Sequence, residues 1–348
     1  MEGLANMDAI RIKVPEDLEE INRVYYERGW SDGLPVVPPT EKRVLRMLEA
    51  SGREAEEILG IFPPAGNEVR IGHIAINAVM AGCLPEHMLV LITVVEAILE
   101  ERFNLNWIQA TTHPVAPLVI INGPIRERLS FNSGGNLFGP CNRTNAVIGR
   151  AVRLIMLNVG GAKPGVLDLS TQGQPSKYAF CIAENEEMNP WEPLHVERGF
   201  ERESSTVTVC GVENPHNIND HTAVHAEDLI TTIAGTIATQ GNNNIVYEMG
   251  EPLVVIGPEH ARIIADSGFS KSQLKKMIHE KARVDKNCFS KKHQEEQFAT
   301  FSENDAIPVA QKADDYMVVV AGGPGKHSSW CPSFGFTRSV TKEIKDSG

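Results

Sequence analysis

Three apolar runs rich in β-branched residues end in glycine or proline turns that open on polar residues. They are Pro117-Leu-Val-Ile-Ile-Asn-Gly-Pro124, Pro252-Leu-Val-Val-Ile-Gly-Pro-Glu-His260 and Tyr316-Met-Val-Val-Val-Ala-Gly-Gly-Pro-Gly-Lys-His-Ser-Ser329. Runs with so few polar positions leave no face for water, so they predict strands covered on both sides, as in an α/β fold. In such folds ligands gather at the loops beyond the carboxyl ends of the strands, which is where a site is expected here.

A hydrophobic fraction of 42% over 348 residues is ample for a core. With 45 acidic against 33 basic residues the formal charge is −12, which disfavours nucleic acid or an anionic membrane as partner and favours a small substrate. No stretch approaches the roughly 20 apolar residues of a membrane span. The segment Met1-Glu-Gly-Leu-Ala-Asn-Met-Asp8 has no basic region followed by an apolar core, so a cytoplasmic location is expected. Six scattered cysteines form no CxxC pair, which argues for reduced thiols and against a disulfide framework or a four-cysteine zinc site.

Helical spacing after a proline marks residues 15–28, and Thr40 is placed to cap a helix over 41–50. Residues 1–60 are accordingly expected to form a helical and extended strap, and residues 61–348 an α/β catalytic core. Apolar helices are predicted at 73–81 and 85–100. Strands are predicted at 105–111, 117–122, 178–183, 206–212, 252–256 and 316–321, with helices at about 144–157, 222–239, 259–266 and 270–283. Leu89 to Arg128 and Leu229 to Arg262 echo each other, so a sheet system built from repeated helix-strand modules is expected, at about 73–160 and 220–285, related by internal pseudo-symmetry.

Gly322-Gly-Pro-Gly-Lys-His-Ser-Ser329 joins glycines, which let backbone approach closely, to one cation, one imidazole and two hydroxyls. Its N–H groups can form an anion nest beside Lys326, with Gly325 and Ser328 in contact. It is not a Walker loop, because Val320 stands where that motif needs glycine and His327 where it needs Ser or Thr. Cys181-Ile-Ala-Glu-Asn-Glu-Glu187 and Cys210-Gly-Val-Glu-Asn-Pro-His216 each place Glu-Asn after an apolar strand, so Glu184, Asn185 and Glu213 are expected at the rim, with Asn122. Such carboxylates serve general acid-base chemistry or cap the next element.

Arg143 and Asn145 lie at a helix start that suits a carboxylate or phosphate, although Asn142 and Thr144 can equally be plain caps. His216, His221 and His225 fall within ten residues, and His221 with His225 would share a face of a helix starting near Asp220 or Thr222. That spacing permits a divalent metal, with Asp220 or Glu213 as third ligand, but the pattern lacks the glutamate of HExxH. His113 is another rim candidate, Cys141 lies beside Arg143, and Cys331 lies close to Lys326 and His327.

Trp30-Ser-Asp-Gly-Leu-Pro-Val-Val-Pro-Pro-Thr40, Ala183-Glu-Asn-Glu-Glu187 with Pro190-Trp-Glu-Pro-Leu-His195, Gly257-Pro-Glu-His-Ala261, and Gly325-Lys-His-Ser328 with Arg338-Ser-Val-Thr341 together resemble an uncharacterised bacterial family. Its members look like companions of small proteins bearing cysteine or selenocysteine in a Gly-Ser-Cys motif. The resemblance implies a hetero-oligomer in which a small partner subunit supplies the thiol or selenol, and no Gly-Ser-Cys occurs in this chain.

The reading is an enzyme or enzyme subunit acting on a small anionic organic substrate by acid-base chemistry of the lyase or hydratase type. Arg143, Asn145 and the glycine turn would hold the anion, Glu184, Glu213 and His327 would move protons, and Lys326 would stabilise negative charge. Hydride transfer fits poorly, since no GxGxxG follows a strand and opens a helix. The rival readings are thiol redox or transfer chemistry through Cys331 or Cys141 with such a partner, and a non-catalytic binding subunit.

Overall fold

A computed structural model describes residues 9–14, 16–247, 250–302 and 305–345. Its strands, in chain order, are β1 (Ile58–Phe62), β2 (Asn67–Arg70), β3 (Ala116–Asn122), β4 (Cys181–Ala183), β5 (Thr206–Val212), β6 (His216–Asn219), β7 (Leu253–Ile256), β8 (Arg283–Asp285), β9 (Ala306–Pro308), β10 (Met317–Val320), β11 (His327–Cys331) and β12 (Val340–Glu343). The three apolar runs are β3, β7 and β10, and every residue of them is buried.

Eight strands form two four-stranded sheets, ordered β12-β5-β3-β4 and β10-β7-β11-β6. In the first, β3 has β4 parallel on one side and β5 antiparallel on the other, with β12 antiparallel beyond β5. In the second, β7 has β10 parallel and β11 antiparallel, with β6 antiparallel beyond β11. The registers match as well as the directions, because Leu118 faces Cys210 in one sheet and Leu253 faces Cys331 in the other. The fourth strands are exchanged. β6 follows β5 directly in the chain yet pairs in the second sheet, and β12 follows β11 yet pairs in the first.

Alternation along the strands divides their side chains between layers. Leu118 and Ile120 of β3 pack with Val255, Val319 and Cys331, in a layer shared by the two sheets. Val119 and Ile121 turn the other way, toward the helices Ile71–Ala81, Met88–Ile98 and Arg143–Asn158. Val254, Ile256, Val318 and Val320 likewise meet the helices Ala226–Ile237, Pro258–Asp266 and Lys271–Lys281. The order of layers is helices, sheet, sheet, helices. Since a one-residue slip would send each side chain into the wrong layer, the register is tightly specified.

Val36, Val44, Met47 and Leu48 from the N-terminal segment lie in the same core as the first helices, so that segment is part of this layer. The expected strand at 105–111 is instead a short helix, Leu105–Gln109. Asn104 enters it at φ 55°, and Leu105 and Ile108 bury one face at a spacing of three while Trp107 is exposed, a helical rather than an alternating pattern. The expected loop after the third run becomes β11 from His327 onward. Among the described residues no helix is long and apolar enough to cross a membrane.

Gly149 lies where the helix Arg143–Asn158 meets the entry to β4, and a Cβ there would sit 2.4 Å from the Phe180 backbone nitrogen. Alanine would gain about 1 kcal/mol of helix propensity. Overpacking against backbone that cannot rotate away costs about 1–3 kcal/mol or more, so Gly149→Ala should lower the unfolding midpoint. A rise in that midpoint on thermal melting would show that the helix is free to shift.

Candidate functional site

The carboxyl ends of β6, β7 and β10 and the start of β11 share one edge, since His327 pairs with Asn219 and the antiparallel β7 ends beside Ser328. The chain reaches this edge through Gly322-Gly-Pro-Gly325, with φ 111° at Gly322 and 119° at Gly325. A Cβ on Gly323 would lie 2.6 Å from the Gly135 Cα, so only glycine lets the turn rest on the loop from the first sheet. The expected anion nest is largely filled by the protein itself. Gly322 N–H donates to the Ser133 carbonyl (2.8 Å) and Gly325 N–H to Glu259 Oε1 (2.6 Å).

Two exposed imidazoles meet beside that turn. His327 Nε2 lies 3.2 Å from His221 Nε2, with ring centroids 4.9 Å apart and planes at 81°. His327 Nδ1 donates to Asn217 Oδ1 (3.1 Å), which leaves its Nε2 lone pair directed at His221. Asn217 is two residues from Asn219, the register partner of His327, so strand geometry puts both side chains on one face.

Two braces fix the spacing of the pair. Lys326 Nζ donates to the His221 and Ala223 carbonyls (3.1 and 3.2 Å). The buried His260 joins the chain just before His221 to the chain just after His327: its Nε2 contacts the Asp220 carbonyl (3.1 Å) and its Nδ1 the Ser328 hydroxyl (2.8 Å). Nε2 must then carry the hydrogen and Nδ1 accept one, as in a neutral ring, and burial does lower the His260 pKa. Ser328 Oγ in turn accepts from Gly257 N–H (3.1 Å). Asp220 accepts from the Thr232 hydroxyl (2.6 Å) and from Ala223 and Thr222 N–H (2.9 and 3.1 Å), bonds that hold its pKa down to about 2.

The other expected residues lie elsewhere. Glu184 is fully buried and accepts from Asn122 Nδ2 (2.7 Å), Leu194 N–H (2.8 Å), Asn189 Nδ2 (2.9 Å) and Val320 N–H (3.3 Å). Burial pushes its pKa up, against the Lys271 charge and these bonds. With no exposed surface it cannot meet a ligand at the rim. It latches β4 to β10, helped by Asn185, whose N–H donates to the Val320 carbonyl (2.8 Å) and whose Oδ1 caps Met188 N–H. Asn122 also donates to Glu186, which lies 3.0 Å from Arg126 Nε.

Glu213 sits at the opposite edge, because β5 runs against β3 and β4. There it lies 2.8 Å from His113 Nε2, whose ring stacks on Phe334. The expected concavity shared by Lys326 with Glu184 or Glu213 is therefore not formed. Arg143 donates to the Gly82 carbonyl (3.2 Å), and Asn145 bridges Asn132 and the Cys181 carbonyl, so both hold loops in place.

The histidine cluster is also rearranged. The helix starts at Ala226, not near Asp220, because the Asp220 bonds bend the chain into a turn first, and His225 is its N-cap residue. His216 opens β6 opposite Trp330. Among the described residues no group of three or more His, Cys, Asp or Glu side chains is placed to hold a metal ion, so the expected set of His216, His221 and His225 is not assembled. Asn217 and His260 were not expected. His260 stood in the quoted run after the second strand, but nothing in its spacing pointed to residues 220 and 328.

A cavity of about 640 Å³ lies by the N-terminal segment, lined by Tyr25, Trp30, His73, Asn77 and Asn158 among others. Its amides bond to one another and to backbone, Asn158 to Asn77 (2.8 Å) and Asn77 to the His73 carbonyl (2.9 Å). Compared with protein-family models, curated proteins and solved structures, the chain matches none.

Cys331 is fully buried and desolvation raises its pKa well above the usual thiol range, which disfavours it as a nucleophile. Only Cys141 and Cys288 are exposed. Native protein should therefore react quickly with iodoacetamide at these two thiols, and at Cys83, Cys181, Cys210 and Cys331 only after unfolding. Mass-spectrometric mapping of early modification at Cys331 would contradict the packing. Glu184→Gln would turn an amide donor toward two of these four N–H groups, whichever oxygen it replaces, and should cost on the order of 3 kcal/mol in chemical denaturation. An unchanged midpoint would show that the latch is dispensable.

Proposed function

We propose that the chain is an enzyme, or the substrate-binding subunit of one, acting on a small anionic organic molecule by acid-base chemistry of the lyase or hydratase type. The site is the edge carrying His221, His327, Asn217 and Lys326. The observation that carries this reading is the pair of exposed imidazoles held 3.2 Å apart by braces on both sides. Two surface histidines have no need of such support for packing, whereas groups that act on a bound molecule gain from being fixed before it arrives. Imidazole is also the side chain most often used to move protons.

The anionic preference rests on the Lys326 ammonium, which its bonds to the His221 and Ala223 carbonyls hold at this edge. Lys326 thus acts through the loop it holds as well as through its charge.

Small mono- and dicarboxylates and phosphate, screened by calorimetry on metal-free protein, should include at least one class that binds. His327→Ala and Lys326→Met should each weaken that binding about tenfold or more while the circular dichroism spectrum is retained. If no anion binds, or if the variants bind it as tightly as the parent, the edge is not the substrate site.

A further inference from the structure

We infer that His221 and His327 form a two-histidine site for a divalent transition-metal ion of the zinc, cobalt or nickel class, with the remaining coordination positions open to water or a bound anion. The inference rests on the site placement proposed above and adds the ion to it. Two imidazole nitrogens bound to one zinc at about 2.0–2.1 Å in tetrahedral geometry lie about 3.3 Å apart. The two Nε2 atoms are 3.2 Å apart, so an ion could be held by both rings with little movement.

Three further features fit ligation. Asn217 takes the Nδ1 hydrogen of His327, the kind of outer contact that fixes the tautomer of a metal-bound histidine and turns its free nitrogen to the ion. Both rings are exposed, so an ion can enter and exchange. The loop carrying His221 is already held by Lys326, Asp220 and His260, which lowers the ordering cost of binding. The nearby Lys326 charge opposes a cation, and the carboxylates of Asp220 and Glu259 on the adjoining segments offset it. Since no third protein ligand of the His, Cys, Asp or Glu type converges there among the described residues, the ion would keep at least two exchangeable positions. Those positions are where a carboxylate would bind and where a metal-bound water would become a stronger acid, the chemistry a hydratase needs.

The test is titration of untagged, chelator-treated protein with cobalt(II), followed by calorimetry and by the visible absorption of a low-symmetry cobalt centre. One ion per chain is expected. His221→Ala and His327→Ala should each weaken it by tenfold or more, and Asn217→Leu by a smaller factor. His216→Ala should leave it unchanged, and circular dichroism checks that each variant is folded. Absence of binding at millimolar cobalt, or binding that persists in the His221→Ala/His327→Ala double variant, overturns the inference. The anion screen is run on metal-free protein and repeated with cobalt bound, so the two readings fail separately. Anion binding without metal uptake leaves the proposed function standing and removes the ion, and metal uptake with no anion bound to either form does the reverse.

Discussion

Burial of β3 and β7 on both faces is the constraint from which the rest of this architecture follows. A sheet can satisfy such strands only if one face meets helices and the other meets a second apolar layer. Here the second layer is the other sheet, through Leu118, Ile120, Val255, Val319 and Cys331. Sheet faces committed in this way have little room for reactive side chains. Chemistry is thereby confined to the two edges where strands end, and the sequence places polar residues there.

The end of β10 belongs to the edge of the candidate site and also helps to hold the two sheets together. Near the ends of β4 and β10, Glu184 accepts four N–H groups, and Arg126 bonds to Glu187 and to the Glu184 carbonyl beneath it. A carboxylate removed from water is costly unless its oxygens are supplied with donors, and this one is supplied by both sheets. The result is a polar clamp that works only in one arrangement of the sheets. It explains why a cluster rich in Glu and Asn looks catalytic in sequence: the residue types that carry acid-base chemistry also fix a sandwich edge.

The strands buried on both faces were legible because their composition admits no other reading, and β3, β5, β7 and β10 fall close to the expected limits. β11 was hidden because His327-Ser-Ser-Trp-Cys331 is polar at its start, and its membership of the sheet depends on β6 and β7, which lie far away in the chain. Glu213 was misplaced for a related reason. Two similar strand endings look equivalent in sequence, but β4 runs parallel to β3 and β5 antiparallel to it, so their ends point to opposite edges. His327 and Lys326 lie at the second sheet's edge, while their partners there, Asn217, His221 and His260, come from two other segments.

The exchange of fourth strands accounts for how those segments meet. β5 belongs to the first sheet, and after Glu213-Asn-Pro215 the chain enters the second sheet as β6. That crossing carries Asn217, Asp220 and His221 alongside β11, opposite a histidine more than a hundred residues later in the chain. Had β6 remained beside β5, His327 would have had neither the carbonyl that fixes its tautomer nor the second imidazole. The site is therefore a property of the crossing and not of any single motif. Its geometry depends on the register of β6 against β11, which Ile218 secures by burying its side chain in the helix-facing core beside Trp330. An apolar contact on one face of the sheet thus sets the distance between two polar groups on the other.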